Sequence, residues 1–97
     1  MGRDTFSDVH IIVLALYALG GDRQFVDTED IALAASNITP GRFNWRLYPD
    51  QIDIYAIRRG LQTAKNQRNG GLVDGSVKTG WTLTENGWTI RLSLRRP

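Results

Sequence analysis

The sequence predicts a mainly α domain carrying one small β-hairpin, an α+β class, and three observations predict it. Three segments hold apolar residues in an unbroken run or at helical spacing, each opened by a Ser or Asp suited to an N-cap. A glycine-rich stretch after the third segment contains two short strand-like runs. The chain has 97 residues, 41% of them hydrophobic and 23% charged, which suits one domain over residues 1–97 with one modest core.

Ser7 is positioned to cap a first helix running to about Leu19, with Asp8 in the first turn, where negative charge suits the helix dipole. Nine consecutive apolar residues, Ile11 to Leu19, make it apolar nearly all round. It is far shorter than the roughly 20 residues a membrane span needs, so it is expected at the centre of the core or with one face covered by a second subunit. Gly20-Gly21 stops it. His10 is expected to be a buried, satisfied histidine.

Arg23-Gln24-Phe25-Val26 is a short extended piece. A second helix opens at Asp27, with Glu29 and Asp30 in its first turn, and ends near Asn37. Its small apolar face is expected from Ile31, Leu33, Ala34 and Ala35. The segment Pro40 to Pro49 alternates aromatic with basic residues between two prolines and a glycine. Phe43, Trp45 and Tyr48 are expected to anchor this loop to the core, and Arg42 and Arg46 to be available for phosphate.

Ile52 to Asn66 is the most informative stretch. Ile54, Ile57, Leu61 and Ala64 recur at helical spacing, Asp53 suits the N-cap, and Ile52 and Ile57 stand where a hydrophobic staple would close. The opposite face carries Tyr55, Arg59, Gln62, Thr63 and Asn66, with Arg58 on its flank. Leu72–Ser76 and Gly80–Thr84 follow as two short strands joined by Val77-Lys78-Thr79. From Thr84 onward the pattern is divided. Glu85-Asn86-Gly87 can form a capped first turn, yet Trp88, Ile90, Leu92 and Leu94 alternate with polar residues at the strand period.

Few chemistries fit this inventory. The chain has no cysteine and a single histidine, which removes thiolate metal sites and the usual nucleophilic triads. Gly75-Ser-Val-Lys-Thr-Gly80 is not a phosphate loop, because Trp81 and Thr82 stand where Lys and Ser/Thr must follow the second glycine. The paired carboxylates Asp27/Asp30 and Asp50/Asp53 sit at helix starts, where capping explains them. No catalytic residue, cofactor or metal is therefore expected. The polar start of the chain lacks the pattern of a signal peptide, and Phe6 breaks the myristoylation motif, so a cytoplasmic location without membrane attachment is expected.

Charge supplies the positive clue. The net charge is only +2, but Met1–Gly41 holds two basic and six acidic residues, whereas Arg42–Pro97 holds ten basic and four acidic. A basic half carrying a helix with a polar face of Arg, Gln and Asn is the arrangement expected where one surface meets a polyanion.

The order helix, extended piece, helix, loop, helix, hairpin resembles the winged helix-turn-helix family. Gly71 to Gly87 looks like its wing, above all Trp81-Thr-Leu-Thr-Glu-Asn-Gly87, where an aromatic strand runs into Leu-Thr, a polar pair and Gly. The resemblance covers about residues 7–96. It implies a three-helix core with a recognition helix at about 54–66, a wing at about 71–84 tipped by Val77–Thr79, and a C-terminal helix after Thr84. It implies double-stranded DNA as the partner, and a homodimer through the first or last helix. On this expectation Tyr55, Arg58, Arg59, Gln62, Thr63 and Asn66 read bases or hold the groove walls. Arg42, Arg46, Lys65, Arg68 and Lys78 meet phosphates. The chain departs from the family in its loop from Thr39 to Asp53, which is much longer than the family's turn. The alternative expectation is a winged protein-interaction module that binds no DNA.

Overall fold

The computed structural model describes residues 7–66 and 70–94, the last five by backbone alone. Four helices and one hairpin follow in order: α1 (Asp8–Ala18), α2 (Thr28–Ile38), α3 (Ile54–Lys65), β1 (Val73–Ser76), β2 (Gly80–Leu83) and α4 (Glu85–Leu94). The α+β class is as expected.

The apolar run of α1 is explained by its position. α1 packs against α2, α3, α4 and β2, and Ile11, Ile12, Val13, Ala15 and Leu16 are buried. Ser7 caps it by accepting from the His10 amide at 3.3 Å. At the other end the Gly21 amide donates to the Leu16 carbonyl (2.8 Å) and the Gly20 amide to that of Tyr17 (2.9 Å). This paired closure requires a left-handed residue, and Gly20 supplies it at φ +81°. His10 is half-buried rather than buried.

α2 buries Thr28, Ile31, Ala32 and Ala35. Ala32 takes the place expected of Leu33, which is 59% exposed. The buried stripe runs through 28, 31, 32 and 35, turned toward α1, which leaves Leu33 about a third of a turn away. Asp27 holds the N-cap position, but its side chain makes no capping bond; its backbone carbonyl accepts from Ile31 instead.

β1 and β2 pair antiparallel in the register Val73–Leu83 to Ser76–Gly80. The extended piece before α2 contributes one further rung: Val26 and Trp81 exchange two backbone hydrogen bonds of 2.8 Å. Trp81 is fully buried, and its indole Nε1 donates to Thr28 Oγ1 at 2.9 Å, so one side chain ties the hairpin to α2. Val26, Val73, Trp81 and Leu83 thereby join the core of α1, α2 and α3.

The last element is a helix, despite its alternating pattern. Thr84 starts it: its Oγ1 accepts from the Gly87 amide and donates to the Gly71 carbonyl. A strand there would lack a neighbour beside β2, whose two edges are already taken by β1 and Val26. Among the described residues no helix is long and apolar enough to cross a membrane.

Candidate nucleic-acid interface

α3 is the element on which most of the expected site residues stand. Asp53 begins it by accepting from the amides of Tyr55 (3.1 Å) and Ala56 (3.3 Å). Ile57, Gly60, Leu61 and Ala64 are buried, and Ile54 packs against their cluster. Gly60 permits the approach of α1, because a Cβ there would lie 2.2 Å from Ile12 Cδ1. Sequence spacing alone passed over this glycine, although an isolated Gly on the apolar stripe of a helix is a signal of close packing.

The burial of one stripe fixes the direction of the other. Tyr55, Arg59, Gln62 and Asn66 lie opposite the core stripe and are exposed. The Arg59 guanidinium sits 5.0 Å from the centre of the Tyr55 ring, a cation–π contact one turn apart that orients both side chains outward. Arg58 is exposed on one flank, beside Leu33, Ile52 and Ile54. Thr63 is exposed on the other, in a cleft of about 450 Å³ that it shares with Arg59, Arg42 and the start of α1.

The remaining basic residues divide by environment. Arg42 Nε donates to Asp8 Oδ1 at 2.6 Å, which ties the long loop to the first turn of α1. Lys65 is half-buried. Its Nζ donates to the Gly75 carbonyl at 2.7 Å and lies 5.9 Å from the Trp81 ring, so it braces the hairpin against α3. Arg46 and Lys78 are exposed, the first on the long loop and the second at the hairpin tip. Arg68 lies outside the described residues.

Two features were not expected. The hairpin tip is closed by a hydroxyl pair: the Ser76 amide donates to Thr79 Oγ1 and the Thr79 amide to Ser76 Oγ, both at 3.1 Å. The long loop is a folded projection rather than a slack connection. Trp45 N donates to Gln51 O (3.0 Å), Asp53 N to Phe43 O (2.7 Å), and Asn44 bridges Ile52. Of its three aromatic residues expected as anchors, Phe43 alone is buried, at 2% exposure. Trp45, Leu47 and Tyr48 stand out at 48%, 73% and 57% exposure, contrary to the expected anchoring role of Trp45 and Tyr48. Phe43 lies at the base of the loop, where its carbonyl accepts from Asp53 N, whereas Trp45 and Tyr48 lie beyond the Asn44–Ile52 bridge, away from the core.

Among the described residues no three carboxylate, imidazole or thiol side chains converge on a point that could hold a metal ion. Compared with protein-family models, with curated proteins and with solved structures, the chain gives no match.

Proposed function

We propose that the chain is a non-enzymatic, sequence-specific binder of double-stranded DNA. In this reading it is a winged helix-turn-helix domain serving transcription regulation, or the DNA-targeting part of a larger prokaryotic protein. One observation carries the reading: α3 buries one stripe completely and offers Tyr55, Arg59, Gln62 and Asn66 along the other. A helix of 12 residues is about 18 Å long and fits a major groove, and Arg, Gln and Asn match the hydrogen-bonding edges of guanine and adenine. Arg58 and Thr63 flank that stripe toward the groove walls. Arg46 and Lys78, both exposed, meet phosphates around it in this reading, and Arg42 and Lys65 combine that role with their bonds to Asp8 and to the hairpin. A homodimer in this reading uses α4, where Trp88 is exposed, because α1 is consumed by the core.

The test is a binding series on duplex DNA between roughly 50 and 200 mM salt. Affinity should fall steeply with salt. Gln62→Ala should flatten discrimination between target and altered sites by about 1–3 kcal/mol, whereas Lys78→Ala should weaken all sequences alike and reduce the salt slope by about 1. Binding that is insensitive to salt and to both substitutions would overturn the reading. It would favour the second one, an interaction module without DNA, for which the exposed Trp45, Leu47 and Tyr48 are the specific support.

A further inference from the structure

The loop between α2 and α3 carries a group of exposed aromatic side chains that DNA reading by α3 does not use. Trp45 and Tyr48 meet edge to face, 6.1 Å between ring centres and 65° between planes. With Arg46, Leu47 and Tyr55 they line an open concavity of about 570 Å³, whose floor is completed by Asn44 and Asp53. Exposed aromatics are costly in water, and here their positions are fixed. The Trp45–Gln51 and Asp53–Phe43 backbone bonds close the loop, the Gln51 amide donates to Tyr48 O at 2.9 Å, and Asn44 Nδ2 donates to Pro49 O at 2.9 Å. Phe43 pins the base of the loop in the core. The result is a preorganised aromatic cradle on a rigid support.

We infer that this cradle binds a nucleobase lifted out of its stack. Three features on the same surface select this occupant. Flat rings presented with one cation, Arg46, suit a π-face joined to a phosphate. The Asp53 carboxylate, the acid in the lining, is turned into the amides of Tyr55 and Ala56 and is partly neutralised by the positive end of α3. Tyr55 belongs both to the cradle and, through Arg59, to the exposed stripe of α3, so the two surfaces are continuous. The base can come from an opened step of the duplex beside α3 or from a single strand. The inference rests on the nucleic-acid reading proposed above.

The experiment uses the whole chain with two probes at low salt: a mixed-sequence single strand, and a set of duplexes carrying 2-aminopurine at successive positions, the single strand labelled likewise. Stacking on the cradle should quench the probe in the single strand. In the duplex the same capture should change the probe signal at one position and leave the neighbouring positions unaltered. A response confined to one arm identifies that source of the base. Trp45→Ala and Tyr48→Ala should each weaken the responding arm by about 5- to 100-fold, and Trp45→Phe should retain most of the binding. These side chains are exposed, so the thermal midpoint should stay close to that of the parent chain and serves as the folding control. Unchanged affinity and probe signal in both alanine variants, with duplex binding and its salt slope intact, would overturn the cradle alone. Failure of the parent chain to bind either probe would overturn the cradle together with the nucleic-acid reading. A dimer by light scattering that Trp45→Ala and Leu47→Ser convert to monomer, with nucleic-acid binding unchanged, would assign the patch to contact between copies and also overturn the inference.

Discussion

Replacing Gly87 by Ala sets two effects of opposite sign against each other, and the structure decides between them. Gly87 lies in the first turn of α4, where Ala should gain about 1 kcal/mol in helix propensity. A Cβ at this position, however, would stand 2.0 Å from the carbonyl oxygen of Leu72 and 3.1 Å from Leu83 Cδ2. The Leu72 oxygen belongs to the backbone and cannot rotate away, so α4 must withdraw from the start of β1 by about 1 Å or more to restore normal contact. That withdrawal strains two bonds at the junction: Thr84 N to Leu72 O (3.1 Å) and Thr84 Oγ1 to Gly71 O (2.6 Å). Each is worth about 1 kcal/mol, and overpacking of this kind adds about 1–3 kcal/mol. The net loss is therefore about 2–4 kcal/mol. At about 4–8 °C per kcal/mol for a domain of this size, the melting temperature should fall by about 10–30 °C. Urea unfolding followed by tryptophan fluorescence, with a thermal melt by circular dichroism, measures it. Thr89→Ala, exposed and two residues further on, is the control and should stay within about 0.5 kcal/mol. A Gly87→Ala protein as stable as its parent, or more so, would show that the first turn of α4 does not lie against the Leu72 carbonyl.

Two further predictions address the ties between hairpin and helices. Thr28→Val keeps the shape of a buried side chain but leaves the Trp81 indole N–H without its acceptor, so stability should fall by about 1–3 kcal/mol in urea titration; no change would mean that this bond contributes nothing. Lys65→Met keeps the aliphatic stem and removes the bond to Gly75 O. It should lower stability by about 1–2 kcal/mol and speed amide hydrogen exchange in β1 and β2, and unaltered exchange would argue against the brace.

How much of this was legible in the chain depended on whether independent signals agreed. α3 was legible because the Asp53 cap, the staple positions and the apolar spacing all mark the same helix, and its exposed stripe follows from the buried one. The hairpin was legible because two short strand-like runs flank Val77-Lys78-Thr79, with glycines at the turn; its register is a matter of the folded structure. In α4 two signals conflicted: period-two alternation favoured a strand, and the Thr84 capping geometry, with both edges of β2 already occupied, decided for a helix. In α2 the choice of Ala32 over Leu33 depends on where α1 lies, which spacing within one helix does not contain. The loop was least legible. An aromatic residue gives no sign of facing in or out until the backbone closes between Asn44 and Ile52, and that closure is tertiary. The expected DNA-facing residues on α3 follow the helix face, whereas the partners of Arg42 and Lys65 are distant in sequence and carry no local signature.

The hydroxyl pair at the hairpin tip has a consequence of its own. Ser76 and Thr79 satisfy each other's amides, so the turn of Val77 and Lys78 is closed locally and asks nothing of the core. The fastening of the hairpin to the body lies below it, at Trp81 and Lys65. The tip is thus a detachable cassette above a fixed hinge line. Its length and charge can be exchanged without refitting the interior, independently of the fold that carries it.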